Sequence, residues 1–309
     1  RRNSRLFAEK AAGVLAKNGI KAYLFDDVHP VPMLSYAVRY LGTVAGIMIT
    51  ASHNPKEYNG YKVYGEDGAQ MSPEATEIVV GFIEKITDYL SVTAEENSPL
   101  IVSVPKEVDD TYIEALKKLT LSKEAVEKCG KDLKLVYTPV HGSGYVPVTR
   151  ILKELGIHVN VVEEQTSKDP DFSTVKVPNP EDPAAFTLAI KLANEVGADA
   201  IFGTDPDCDR LGVAVREKDG SFRLLTGNQI GCLMLYYILS CKKAQGKLPA
   251  NGAVVKSIVS TELARAICKD FGVALFDTLT GFKFIGEKIQ QFQDTGSHTF
   301  LFGFEESYG

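Results

Sequence analysis

The chain has 309 residues, with 34 lysines and arginines against 40 aspartates and glutamates, so its formal net charge is −6. Its composition, 44% hydrophobic and 24% charged, is typical of a folded globular protein and excludes a disordered one. The acidic balance argues against nucleic-acid binding, and no apolar run approaches the roughly 20 residues of a membrane-spanning helix. At about 150 residues per domain, the length predicts two domains, or three small ones.

The cysteines and the two ends of the chain indicate its compartment and its extent. Five cysteines, an odd number with no Cys-x-x-Cys pair, favour reduced thiols in a cytoplasmic protein. We expect no signal peptide at the basic start, because Glu9 and Lys10 follow it closely. The chain begins at Arg1 without Met and stops directly after a strand-like run, so we expect it to be a piece of a longer protein. The sequence indicates no particular oligomeric state.

Strand and helix patterns alternate in three successive blocks. The first block reads helix 4–17, strand 21–25, helix 31–41, buried strand 44–50, strand 61–64 and a helix that begins at 72–73. The second reads strand 133–140, helix 146–155, strand 158–163, helix 182–197, strand 198–203, paired strands 211–216 and 222–225, and helix 228–242. The third reads strand 254–259, helix 261–271, strand 273–276, helix 282–292 and strand 299–302.

These blocks predict three α/β units, with polar connectors at 91–98 and 245–252. We expect the domains to span residues 1–130, 131–247 and 248–309. Ligands of such units gather at the carboxyl ends of strands, so the loops that follow the strands are the candidate functional segments.

The first of these loops, Thr-Ala-Ser-His-Asn-Pro at 50–55, directly follows a predicted strand. It presents the Ser52 hydroxyl, beside His53 and Asn54, on a loop that ends in proline. For an isolated Ser-His pair, a polar turn is the plainer interpretation. A serine protease or esterase is excluded by the surroundings, which are not Gly-x-Ser-x-Gly.

A second loop carries three carboxylates at alternate positions, Asp205, Asp207 and Asp209. Such carboxylates can converge on one hard cation, whereas without a cation they would repel one another. An EF-hand is excluded, because that motif needs glycine where Arg210 stands and glutamate where Arg216 stands. Cys208 is a soft ligand among hard ones, and we expect it to point away.

Three further loops carry weaker signals. Thr278–Lys283 and Gly303–Gly309 place a lysine and two glutamates at strand ends, where they could bind sugar hydroxyls or lie in solvent. The His141–Pro147 loop follows a strand and opens a helix as a nucleotide fingerprint does. Pro147 stands where the third glycine belongs, so a tight turn is the better interpretation.

Taken together, and in this order along the chain, the loops resemble those of the phosphohexomutase superfamily, most closely the bacterial α-phosphoglucomutases. The T-A-S-H-N-P and D-P-D-x-D-R motifs are highly specific as a pair, and N-G-Y-K-V-Y at 59–64 resembles the segment that follows the serine loop in the family. The resemblance implies three mixed-sheet α/β domains, with a fourth, C-terminal domain and the first strand absent. It also implies a phosphoglucomutase that interconverts glucose 1-phosphate and glucose 6-phosphate through glucose 1,6-bisphosphate.

The resemblance implies roles for individual residues. Ser52 would carry the phosphoryl group, with Lys62 and Arg210 as active-site cations and His53 supporting the loop. Lys62 would also be a proton-transfer group. Mg²⁺ would be held by the serine phosphate and the three aspartates, which are Asp205, Asp207 and Asp209. The sugar phosphate would be bound by Thr280, Gly281, Lys283, Glu305 and Ser307. The T-G-F-K loop has phenylalanine where phosphoglucomutases have tryptophan.

Alternatives remain at this point. Within the family, mannose 6-phosphate is the main alternative substrate, as in a phosphomannomutase or a dual-specificity enzyme. Outside it, a Mg²⁺-dependent sugar phosphatase and a non-catalytic sugar-phosphate-binding protein rank lower, because neither explains the three motifs together. Because the family's fourth domain grips the non-transferring phosphate of the substrate, we expect the 309-residue chain alone to bind Mg²⁺ but to turn over poorly.

Overall fold

The computed structural model describes residues 1–307, and no helix in that range has the length and apolar character needed to cross a membrane. The α-helices are α1 (Ser4–Lys17), α2 (Val31–Leu41), α3 (Pro73–Ile83), α4 (Glu107–Lys118), α5 (Lys123–Cys129), α6 (Tyr145–Glu154), α7 (Thr187–Val196), α8 (Gly227–Ala244), α9 (Leu263–Phe271) and α10 (Phe282–Thr295). The β-strands are β1 (Ala22–Leu24), β2 (Ala45–Ile49), β3 (Tyr61–Gly65), β4 (Ile101–Ser103), β5 (Leu135–Thr138), β6 (Val159–Val161), β7 (Ala200–Thr204), β8 (Leu211–Arg216), β9 (Phe222–Leu224), β10 (Gly252–Ser257), β11 (Ala274–Thr278) and β12 (Thr299–Phe304). Short 3-10 helices lie at Tyr89–Ser91, Glu163–Gln165 and Pro183–Phe186.

Two small sheets form the first unit. β1 pairs with β4 in parallel, and β2 pairs with β3 in antiparallel. α2 packs on the second sheet, where Val31 and Val38 form an apolar cluster with Tyr64. The helix α3 begins as the sequence predicts, because the Ser72 hydroxyl accepts a hydrogen bond from the amide of Ala75.

The prediction of a buried strand at 44–50 is wrong in its burial. The strand exists as β2, but Val44 is 80% exposed, and within β2 only Gly46 is buried. Among the described residues β2 has a single neighbouring strand, so its other edge faces no partner. The apolar run at 44–50 therefore belongs to a strand with one neighbour among the described strands and not to a central strand that is buried on both faces.

The second unit is a five-stranded mixed sheet in the order β6-β5-β7-β8-β9. The first three strands are parallel, and β8 and β9 complete the sheet in antiparallel, which confirms the predicted strand pair at 211–216 and 222–225. The core on one face joins Val136 and Ile201 of the sheet to Phe186, Ala189 and Ala193 of the α7 region.

The third unit is a parallel sheet in the order β11-β10-β12, covered on both faces. On one face, Leu235 and Leu239 of α8 pack with Val254 of β10. On the other face, Ile285 of α10 packs with Val255 of β10. The alternation of Val254 and Val255 between two cores explains the continuous apolar run of this strand.

The expected domain division at 1–130, 131–247 and 248–309 stays a prediction. The structure adds one observation: α8 precedes residue 248, yet its apolar side chains belong to the core of the third sheet. We therefore propose that the third domain begins near Thr226, whose hydroxyl and the Gln229 side chain form a capping box at the start of α8.

Contacts at strand ends join the units. The amide of Val31, at the start of α2, donates to the carbonyl of Asp207 in the loop after β7 at 2.9 Å. The tight turn at 141–144 is confirmed, since the Gly142 amide donates to Pro139, and the Ser143 amide donates to the Pro206 carbonyl at 2.8 Å. The loop between β7 and β8 is therefore fixed from both sides by backbone contacts.

A buried isoleucine should matter for stability where an exposed one does not. Ile201 is fully buried in the second sheet, so we expect Ile201→Ala to lower the free energy of unfolding by about 2–5 kcal/mol. The matched control is Ile78→Ala in α3, where the side chain is 65% exposed and the change should stay within about 0.5 kcal/mol. Denaturant unfolding followed by circular dichroism measures both, and equal losses would contradict the assigned core.

Candidate active site and metal centre

The serine loop, residues 50–55, leaves β2 in a conformation that turns the Ser52 hydroxyl toward the second unit. Ser52 adopts a left-handed backbone with φ 49°, which is strained for a residue other than glycine. Its amide donates to the hydroxyl of Thr50 at 3.0 Å, and Thr50 itself is hydrogen-bonded to Gly60 across the loop. The backbone around the serine is thus specified by local contacts.

The Ser52 hydroxyl makes two contacts that define the site. Its Oγ donates to Oδ2 of Asp205 at 2.7 Å and lies 3.1 Å from Nδ1 of His53. Asp205 belongs to the loop after β7, 153 residues further along the chain. The structure therefore brings together the serine and the acidic loop that the sequence places in different domains.

The three aspartates of that loop are all buried and converge. Asp205, Asp207 and Asp209 are 0%, 3% and 8% exposed, and they can offer one oxygen each within 4.8 Å of one another. The loop closes on itself because the amides of Asp209 and Arg210 both donate to Oδ1 of Asp205, at 3.1 and 3.0 Å. Cys208, at φ 55°, makes the sharp bend between the ligand positions.

Cys208 does not belong to the cluster of converging ligand atoms, which consists of the three aspartates. Its thiol is hydrogen-bonded to Thr204, and burial together with the charge of Asp205 raises its pKa to about 12. A thiol that stays protonated at neutral pH is a poor metal ligand.

One lysine partly neutralises the three carboxylates. Lys62 Nζ lies 3.1 Å from Oδ2 of Asp207 and 3.7 Å from Oδ2 of Asp209. Burial opposes the charged forms of Lys62 and Asp207, but their pairing outweighs it, so the pKa of the lysine is raised and that of Asp207 is lowered. For Asp205, burial and then the charges of Asp207 and Asp209 raise the pKa well above its usual value.

The donor set fits Mg²⁺. Carboxylate oxygens are the ligands that this hard cation prefers, and Oδ1 of Asp207 is buried with no hydrogen-bond partner among the described residues. Three buried carboxylates with one lysine leave negative charge that a divalent cation would neutralise. The residues that could hold the ion are Asp205, Asp207 and Asp209, beside the Ser52 hydroxyl.

Two more side chains surround the serine. Arg210 directs Nη1 to Glu181 at 3.0 Å, and its Nε is buried without a partner in residues 1–307. Burial, and after it the Arg210 charge, lowers the pKa of His53, so the imidazole beside Ser52 is neutral at neutral pH. Arg210 also acts electrostatically on Glu305, which opposes the effect of burial that raises the pKa of Glu305.

The two loops expected to bind sugar meet at the carboxyl ends of β11 and β12. Glu305 is buried, and its Oε1 accepts a hydrogen bond from the Gly281 amide at 2.6 Å. Gly281 has φ 125°, a conformation that favours glycine. Thr280 is exposed, Lys283 Nζ lies 5.1 Å from the centre of the Phe284 ring, and Ser307 is half-buried. Tyr308 and Gly309, the end of the last predicted loop, lie outside the described residues.

Sequence reasoning missed two residues that shape the site. Thr50 Oγ1 donates to Oδ2 of Asp207 at 3.2 Å as well as accepting from the Ser52 amide, so it couples the two loops. Glu181, which pairs with Arg210, follows an Asn-Pro turn that carried no chemical signal of its own. Thr50 belongs to the serine motif, and its position two residues before the serine was the available signal.

The sequence matches the three α/β/α domains of the phosphoglucomutase/phosphomannomutase family: domain I over residues 1–90, domain II over 110–220 and domain III over 226–309. The chain belongs to this family. It is 42% identical over 307 residues to the phosphoglucomutase of Staphylococcus aureus strain N315, covering 98% of this chain and 54% of that protein. The chain therefore spans about half the length of the curated relatives it matches.

Solved structures show the same fold. A Thermus thermophilus protein described as a phosphomannomutase is 26% identical, with a TM-score of 0.78 over 100% of this chain and 64% of that one. Aspergillus fumigatus N-acetylphosphoglucosamine mutase is 16% identical, with TM-scores of 0.54 and 0.53 in two structures. These cover 97% and 99% of this chain and 70% of that one. The first holds glucose 1,6-bisphosphate, and the second holds GlcNAc-6P and magnesium.

Removing one carboxylate should weaken metal binding selectively. We expect Asp207→Asn to raise the dissociation constant for Mg²⁺ about tenfold or more, because the loop loses charge and an oxygen ligand. Isothermal titration calorimetry on the chain measures this change. Asp219→Asn, which alters an exposed turn carboxylate, is the control and should leave the affinity unchanged. Equal affinities in both variants would rule out the acidic loop as the magnesium site.

Proposed function

We propose that the protein is a phosphoglucomutase that interconverts α-D-glucose 1-phosphate and glucose 6-phosphate, with Ser52 as the phosphoryl carrier. The single observation that carries this proposal is the 2.7 Å contact of the Ser52 hydroxyl with a carboxylate of the buried aspartate cluster. A serine placed against a metal-type donor set in a member of this family suits phosphoryl transfer, not acyl transfer. The 42% identity to a phosphoglucomutase favours glucose over mannose.

In the proposed cycle, phosphorylated Ser52 transfers its phosphoryl group to the 6-hydroxyl of glucose 1-phosphate. The bond from phosphorus to the serine oxygen breaks, a bond from phosphorus to the sugar oxygen forms, and the proton of the 6-hydroxyl is passed on to the Ser52 oxygen, which becomes a hydroxyl again. The resulting glucose 1,6-bisphosphate reorients and returns its 1-phosphoryl group to Ser52. The bond from phosphorus to the sugar 1-oxygen breaks, that oxygen takes up the proton of the Ser52 hydroxyl, and glucose 6-phosphate is released. Mg²⁺ held by Asp205, Asp207 and Asp209 would supply positive charge for the transfer.

The surrounding side chains have distinct proposed roles. Lys62, held in its charged form by Asp207 and Asp209, supplies positive charge. We propose that its ammonium group gives a proton to the oxygen that leaves phosphorus, and that the amine so formed takes up the proton of the attacking hydroxyl. Arg210 supplies a second positive charge. Neutral His53 contacts Oγ of Ser52 and orients the hydroxyl.

The sugar would be recognised by the joined loops of the third unit. The hydrogen bond from Gly281 to Glu305 fixes the two strand-end loops against each other, which supports a shared binding surface. We propose that Glu305 and Ser307 bind the sugar hydroxyls and that Thr280, Gly281 and Lys283 belong to the same substrate-binding surface. The described cysteines form no disulfide, which is typical of a reducing compartment, and we propose that the enzyme is cytoplasmic.

Removing the phosphoryl carrier should abolish catalysis without unfolding the protein. We expect Ser52→Ala to lower the rate of glucose 6-phosphate formation by about 1,000-fold or more in the full-length enzyme. A dehydrogenase-coupled assay with Mg²⁺ measures the rate. Ser103→Ala is the matched control, because Ser103 also ends a strand of the first unit but is exposed. Unchanged activity in Ser52→Ala would refute the proposed carrier.

The substrate choice is tested by comparing two sugar phosphates. We expect kcat/KM for glucose 1-phosphate to exceed that for mannose 1-phosphate by about tenfold or more. Glucose and mannose differ in the orientation of one hydroxyl, and a polar site can distinguish the two orientations by hydrogen bonding. The rate of formation of glucose 6-phosphate from glucose 1-phosphate, and of mannose 6-phosphate from mannose 1-phosphate, is measured with and without Mg²⁺. Equal values would indicate a dual-specificity enzyme, and release of free phosphate from either sugar would indicate a phosphatase instead.

A further inference from the structure

Arg1 contacts the serine loop, and none of the roles proposed above uses it. Its guanidinium donates to three backbone carbonyls of that loop, those of Ser52, Asn54 at 2.6 Å and Pro55 at 2.8 Å. A planar cation with several donors can hold carbonyls that a point charge could not hold together. Arg1 thus fixes the backbone on both sides of the residue that follows the serine.

The same guanidinium lies against the second unit. Its Cζ is 4.8 Å from the centre of the Phe172 ring, within the range of a cation–π contact. Phe172 is buried and has φ 49°, and its ring meets the ring of His141 edge to face. Because His141 belongs to the tight turn beside the metal loop, Arg1 connects the serine loop to the frame that holds the aspartates.

We infer that Arg1 is a positioning residue that holds Ser52 in line with the aspartate cluster, an inference that rests on the proposed function. Ser52 keeps a left-handed backbone that a free loop would relax. The hydrogen bonds from the Arg1 guanidinium to the carbonyls of Ser52, Asn54 and Pro55 oppose that relaxation. A lysine at the same position would offer a point charge without the planar fork, so it would hold fewer carbonyls at once.

Arg2 provides a matched comparison. Its guanidinium pairs with Asp171 at 2.7 Å, in the segment that also contains Phe172, and its side chain is 60% exposed. The hydrogen bond of this side chain goes to the Asp171 carboxylate and not to a carbonyl of the serine loop. Arg2 therefore shares with Arg1 its charge, its place in the chain and its contact with the second unit, but not the hold on Ser52.

The test compares Arg1→Met, Arg1→Lys and Arg2→Met in the full chain. Amide hydrogen exchange reports the order of residues 50–60, and intact-mass measurement follows phosphorylation of Ser52 by glucose 1,6-bisphosphate at several concentrations. We expect Arg1→Met to speed amide exchange in this segment alone. We also expect it to lower the maximal phosphorylation rate by about tenfold to 100-fold, with little change in the glucose 1,6-bisphosphate concentration that gives half of that rate. Arg1→Lys should recover part of the rate, and Arg2→Met should match the parent chain within about twofold.

The outcomes distinguish a failure of the positioning role of Arg1 from a failure of the proposed phosphoryl transfer through Ser52. If exchange at 50–60 is the same in Arg1→Met and Arg2→Met, the positioning inference is wrong, whatever the catalytic result. If the parent chain and Arg1→Met acquire phosphate at the same maximal rate, the positioning inference is also wrong. If the parent chain gains no phosphate on Ser52 while Arg1→Met still loosens the loop, the proposed function fails and the structural hold stands. A global loss of protection in Arg1→Met would show a folding role and overturn the positioning one.

Discussion

The burial of three carboxylates within 4.8 Å of one another is the constraint on which the rest of the site depends. Buried like charges repel strongly in a medium of low dielectric, and a lone carboxylate in such a place would take up a proton. Lys62 and the backbone amides that bind Asp205 offset part of this repulsion. The remaining negative charge makes the acidic loop a site for a divalent cation. The hydrogen bonds that surround the loop keep the carboxylates close together despite their repulsion.

Elements of both the first and the second unit form hydrogen bonds to the acidic loop and so fix the positions of its carboxylates. The Val31 amide at the start of α2 and the Ser143 amide of the 141–144 turn both bind backbone carbonyls of the acidic loop. Thr50 joins that loop to the serine loop through a single hydroxyl that accepts from one and donates to the other. Hydrogen bonds therefore join the first and second units at the site, where the strand-end loops of both units converge on one serine.

The sequence allowed the motifs and most elements to be predicted because they depend on local signals. The serine loop, the acidic loop and the helix at 31–41 were all placed within a residue or two of their observed positions. The strand β4 and the helices α4 and α5 were missed, since β4 is three residues long and both helices are rich in charged residues. Arg1 and Glu181 were missed for a different reason. Arg1 lies 54 residues from Pro55 and Glu181 lies 29 residues from Arg210, and no local pattern encodes such contacts.

Phosphorylation of Ser52 would sharpen the electrostatic problem that the site already has. A serine phosphate brings a charge of about −1.5 to −2 into contact range of Asp205. With the three carboxylates, that charge exceeds what Arg1, Lys62 and Arg210 can balance, so a stable phosphoserine would require the cation. Conversely, the phosphate offers oxygens that complete a ligand set in which the protein alone supplies three carboxylates. Metal and phosphoryl group would therefore stabilise each other, and the proposed phosphoserine chemistry would depend on the ion.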